Sequence, residues 1–183
     1  RTAGGNVNIG QSASRVASFN NYSGGEIGTI DTEANAADDD SGNVTIYSSG
    51  SVTLGNITTS NGASCGSGTE LCGNLTIDAL GAISDGANAV LAINGRTLIN
   101  APGQTITFDS TTNDFNNFGV TSALDLYLID SNAIALDSIT VTGDDSENGT
   151  SGRLYVTTND SISQNTSTTI SSTNGGDVFL VAN

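Results

Sequence analysis

A short phrase recurs along the whole chain: a small or turn-forming residue, then a few residues that alternate apolar and polar. It stands as Gly-Gly-Asn-Val-Asn-Ile (4–9), Ser-Gly-Asn-Val-Thr-Ile (41–46), Cys-Gly-Asn-Leu-Thr-Ile (72–77), Ala-Leu-Asp-Leu-Tyr-Leu (123–128), Gly-Arg-Leu-Tyr-Val-Thr (152–157) and Gly-Asp-Val-Phe-Leu-Val (176–181). One such strand has a single apolar side and too little length to bury it alone. Copies spaced by roughly 20–30 residues bury that side by stacking on one another, which is the pattern of a solenoid. The repeats predict a rod, and a rod suggests a scaffold, fibre or adhesin before a catalyst.

The composition agrees with a narrow core. Only 36% of the 183 residues are hydrophobic, and the chain holds 23 glycines, one proline (Pro102) and no methionine or tryptophan. Strong helix formers are scarce while Asn, Ser and Thr are abundant, so little or no helix is expected. The expected fold is all-β, a parallel β-helix of about seven coils.

Charge restricts the partners. Four basic residues (Arg1, Arg15, Arg96, Arg153) face 19 acidic ones, for a formal net charge of −15. Nucleic acid and anionic lipid need clustered cations, and these are scattered, so neither is an expected partner. No stretch has the length and apolarity of a membrane-spanning helix. The acidity reads first as a solvated, self-repelling surface. The clusters Asp38-Asp39-Asp40 and Asp144-Asp145 are calcium candidates, although neither follows the spacing of a calcium loop. No other cofactor is expected.

Cys65 and Cys72 enclose a glycine-containing loop. The pair reads most simply as a local disulfide in an exported protein, worth about 2–3 kcal/mol by loop closure. The competing readings are two free thiols or a metal site, and the second lacks a histidine or another cysteine pair to complete a zinc shell.

Residues 1–183 read as one β-helix domain. Its first part, 1–40, is irregular: strand-like units at Asn6–Ile9 and Glu26–Ile30 precede the acidic loop 32–40. From 41 onward the alternation sharpens. Val44 and Ile46, then Val52 and Leu54, then Leu75 and Ile77 point inward, and Thr and Asn point out. Later inward positions are Leu126 and Leu128, Ile134 and Leu136, Ile139 and Val141, Leu154 and Val156, and finally Val178 and Leu180. The chain starts and stops within strand-like repeats, so it is expected to be a segment or subunit of a longer fibre.

The unit Gly-Asn-Val-Thr-Ile-x-x-x-Gly-x-Val-Thr-Leu-Gly-Asn-Ile-Thr (42–58) resembles the repeats of filamentous-haemagglutinin-type surface proteins. So do Asn113-Asp-Phe115 leading to Leu126-Tyr-Leu-Ile-Asp130, Ile134-Ala-Leu-Asp-Ser-Ile-Thr140, Leu154 to Ser163, and Thr173 to Leu180. The resemblance covers 41–183 well and 1–40 poorly. It implies a right-handed parallel β-helix, secreted by bacteria and displayed at the cell surface as a long adhesive fibre. The cysteine loop departs from the repeat pattern. No catalytic residue carries over, because the repeat has none.

For chemistry, the absence of histidine and lysine removes Ser-His-Asp and Ser-Lys arrangements, and the chain is not expected to be an enzyme. Paired carboxylates, Asp109 with Asp114 or Asp125 with Asp130, would suit a tailspike-like or lyase-like polysaccharide depolymerase; as corner residues they read more simply as turn formers. Aligning the strand copies puts Thr45, Thr76, Thr107, Tyr127, Tyr155 and Phe179 in one outward column. Tyr127, Tyr155 and Phe179 would then form an exposed ladder, able to stabilise the sheet or to contact a glycan or a neighbouring fibre. The expected partners are further copies, stacked end to end, and surface glycans.

Overall fold

The chain winds into a parallel β-helix. The computed structural model describes residues 5–23, 26–32, 41–59, 72–143, 152–174 and 176–183, and among them there are 19 strands and no helix. The first coil contains β1 (Val7–Ile9), β2 (Phe19–Asn20), β3 (Tyr22–Ser23), β4 (Glu26–Ile27) and β5 (Thr29–Asp31). The second is β6 (Val44–Ser48), β7 (Val52–Leu54) and β8 (Asn56–Thr58). Then come β9 (Leu75–Ala79), β10 (Ile83–Asp85), β11 (Leu91–Asn100), β12 (Thr105–Phe108), β13 (Asp114–Ala123), β14 (Asp125–Asp130) and β15 (Ile134–Thr142). The last are β16 (Leu154–Thr158), β17 (Ile162–Gln164), β18 (Ile170–Thr173) and β19 (Val178–Ala182).

Two parallel sheets, one of ten and one of seven strands, make three walls. The seven-stranded sheet is one wall, in the order β2-β7-β10-β12-β14-β16-β19, one strand for each of seven coils. The other sheet supplies two walls, because the long strands β11, β13 and β15 turn a corner. The first half of β11 pairs with β8 and its second half with β9, and its register against β13 shifts between Ile93 and Arg96. Expectation and structure differ in the first coil. Glu26–Ile30 is not one unit: Glu26–Ile27 closes an antiparallel hairpin with Tyr22–Ser23, while Thr29–Asp31 joins a wall beside β8.

Parallel, in-register pairing carries like residues over like. Ile9, Ile46, Ile77, Ile99, Val120, Ile139 and Ile170 form one inward column. Phe19, Val52, Ile83, Ile106, Leu126, Leu154 and Val178 form another. In the middle coils these side chains are fully buried. The widest part of the core is filled by Phe108, Phe115 and Phe118, whose ring centroids lie 5.2–6.0 Å apart, in tilted and edge-on arrangements that suit aromatic quadrupoles.

The recurrent Gly-Asn has a structural cause. An asparagine side-chain oxygen in one coil accepts the backbone N–H of the next: Asn6 from Asn43 (2.8 Å), Asn43 from Asn74 (2.8 Å) and Asn74 from Arg96 (2.7 Å). Asn56 does the same for Val90 and Asp125 for Arg153. The glycine before it is required by crowding: a Cβ on Gly73, which precedes Asn74, would run into the Gly42 carbonyl oxygen. These corners are thus sewn to the next coil by a side chain where the backbone ladder leaves off.

Candidate functional site

Three surfaces or corners hold the residues with chemical potential. The first is the expected aromatic column. Tyr127 pairs with Tyr155 and Tyr155 with Phe179, with ring centroids 6.5 and 6.4 Å apart. Below Tyr127 the same column continues as Thr107, Ser84, Thr53 and Asn20. Thr45 and Thr76 are not in it. They pair with each other on a different wall, over Leu98. The repeated phrase is used on two walls, and alternation alone does not distinguish them. The rings follow one another along the rod, tilted by 38° and 51° to their neighbours. Tyr155 is 36% exposed and Phe179 49%. A cavity of about 270 Å³ beside the ladder is lined by Tyr127, Arg153, Tyr155, Asp177 and Phe179.

The second is the corner after the middle strands of the seven-stranded wall, where the candidate carboxylates lie. In β14, Asp125 faces outward and Asp130 inward, so the two do not flank a common substrate position. Asp130 is fully buried and accepts hydrogen bonds from the N–H groups of Phe115 (2.7 Å) and Asn132 (3.1 Å). Burial pushes its pKa up to about 6 against these two bonds, with the nearby Asp114 charge acting in the same direction as burial. Asp114 itself accepts from the Asn132 amide, and Asp109 is exposed. Asp85, unremarked in the sequence, is the strongest local organiser. It accepts from the N–H groups of Asp109 and Ser110 and from the buried Asn113 amide. Its pKa is raised by burial, a rise that those hydrogen bonds oppose. These carboxylates hold turns, as Asx residues do.

The third is a cleft that no sequence pattern marks. Gly10 has φ +70°, and there the chain leaves the wall. A turn closed by paired backbone bonds between Gln11 and Ser14 follows. Arg15 then pins the loop to the rod: its guanidinium pairs with Asp78, donates to the Ser48 and Asp78 carbonyl oxygens, and lies 5.9 Å from the Tyr47 ring centroid. Between loop and wall lies a cavity of about 860 Å³ lined by Asn8, Gly10, Gln11, Ser12, Ser14, Thr45 and Tyr47.

Several expected residues fall elsewhere. Asp38, Asp39, Asp40, Asp144 and Asp145 lie outside the described residues, and so does Cys65. Cys72 is described and is not a free thiol. Among the described residues no three potential ligands cluster as a metal site, and no helix is long and apolar enough to cross a membrane.

Comparison with known proteins gives one match. Residues 41–122 match a family model described as repeats of unknown function (DUF5649). This is under half of the chain, and it spans the coils with the clearest Gly-Asn corners. No curated protein and no solved structure matches.

Proposed function

We propose that the chain is a structural segment of an extracellular filament on a bacterial surface, lengthened by parallel coils laid end to end. The observation that carries this is β19. Val178 and Leu180 pair in register with the fully buried Leu154 and Val156, yet they are 48% and 44% exposed. Their environment is that of an inner strand with one neighbour instead of two. The match to repeats and the resemblance to haemagglutinin-type units support the same reading. The first coil of a second copy offers the complementary edge, with Val7, Ile9 and Phe19 only partly buried.

The test is assembly of the 183-residue chain, followed by sedimentation, electron microscopy and fibre diffraction, beside the variant Val178→Lys/Leu180→Lys. Linear particles with a meridional spacing of about 4.8 Å, lost in the variant at unchanged circular dichroism, are expected. A chain that stays monomeric at the highest attainable concentration, or assembles equally well with both lysines, overturns end-to-end stacking through β19.

A further inference from the structure

We infer that the cleft between the loop Gly10–Ser14 and the outer face of β6 is a binding site for an uncharged saccharide. This rests on the cleft and not on the filament reading. Its volume of about 860 Å³ is within the range of about 300–1,000 Å³ typical of small-molecule sites. What sets it apart is its lining. Asn8 and Gln11 each bring an amide that both donates and accepts, Ser12, Ser14 and Thr45 bring hydroxyls, and Tyr47 brings a ring. Vicinal hydroxyl groups need paired donors and acceptors, which a side-chain amide supplies from one planar group. The C–H faces of a pyranose need an apolar surface, and the Tyr47 ring supplies one.

The polar groups here are uncommitted. Elsewhere in the rod the side chains of Asn6, Asn43, Asn56 and Asn74 are used for structure, each bonded to the next coil. In the cleft, the side chains of Asn8, Gln11, Ser12, Ser14 and Thr45 make no hydrogen bond to any described residue. The walls are nevertheless fixed. The Gln11–Ser14 turn is closed by its own backbone pair, and Arg15 anchors it to Asp78, 63 residues away in sequence. A ligand would therefore not have to order the loop, which lowers the cost of binding.

Charge selects among saccharides. Among the described residues no carboxylate or cation lines the cavity. Arg15, a described cation beside the cleft, is committed to Asp78, and the chain carries a net charge of −15. A uronic or sulfated sugar would meet repulsion without a compensating cation, whereas a neutral hexose chain meets none.

The experiment is saturation-transfer NMR and calorimetry on the 183-residue chain with cellotriose, maltotriose and mannotriose, and with trigalacturonate as the anionic counterpart. Transfer to at least one neutral trisaccharide is expected, with weaker or no transfer to trigalacturonate. Because Asn8 and Gln11 are exposed, Asn8→Ala/Gln11→Ala should keep the melting temperature and weaken the bound sugar about tenfold, as loss of about 1.4 kcal/mol would. Ser12→Trp, which fills the cleft, should abolish binding. Absence of transfer to all three neutral sugars, equal binding of trigalacturonate, or full affinity in both variants overturns the assignment. None of these outcomes bears on assembly through Val178 and Leu180.

Discussion

Strands β14 and β19 occupy the same wall and carry the same pattern, yet they end in opposite environments. Leu126 and Leu128 in β14 are fully buried, while Val178 and Leu180 in β19 stand about half exposed in the same columns. Nothing in the residues themselves accounts for this. A parallel coil buries its inner side chains partly beneath the coil above and partly on the coil below, so burial belongs to the stack and not to the phrase. The middle of the rod is a completed core, and its last coil is core material in a surface position.

The largest test of that contrast is a pair of truncations read by chemical denaturation. Phe115→Ala removes the ring that touches both Phe108 and Phe118 and should cost about 3–5 kcal/mol. Leu180→Ala, in the exposed coil, should cost under about 0.5 kcal/mol in the isolated chain. Similar costs would mean that the last coil is already covered in solution.

A smaller effect separates the buried corner from the surface by its response to pH. Asp130 has a folded-state pKa raised from 3.8 to about 6, so between these values the folded chain holds a proton that the unfolded chain has released. The associated stability is fully present below about pH 4 and is lost as pH rises through 6. By linkage it amounts to at most about 3 kcal/mol, at about 1.36 kcal/mol per pKa unit. The difference between the native chain and Asp130→Asn, measured as unfolding free energy from pH 4 to 7, should show this slope. Parallel curves would show that Asp130 does not titrate there.

The smallest expected effect has the opposite sign. Thr97 points into the core between Leu75 and Phe118, is fully buried, and its hydroxyl has no hydrogen-bond partner. Thr97→Val keeps the shape and removes the desolvated group, so the middle of the rod should gain about 1 kcal/mol. A loss would show that the hydroxyl is satisfied in solution.

Much of the wall structure was legible in the residues. Period-two alternation identified Val44, Ile46, Leu75, Ile77, Leu126 and Leu154 as inward, and the structure buries all six. The aromatic column from Tyr127 to Phe179 followed from the same counting. It failed at Thr45 and Thr76, because two walls use one phrase and only pairing across coils separates them. Asp130 reads by residue type as a corner residue, yet alternation from Leu126 and Leu128 carries it inward, against the tendency of aspartate to stay outside. The cleft had no local signal at all. Its geometry depends on the contact between Arg15 and Asp78, and residues 10–15 contain no periodicity from which that contact could be read.

The asparagine stitches between coils all run in one sense: the oxygen on the earlier coil, the N–H on the later one. The rod is therefore a vector, with acceptors toward one pole and donors toward the other. Two such objects cannot meet by a twofold axis and still make these bonds, so a contact through the coil ends that kept them would be head-to-tail and heterologous. Such contact does not close on itself after a pair. It leaves the same two unlike poles at the extremities of every product, whatever its length.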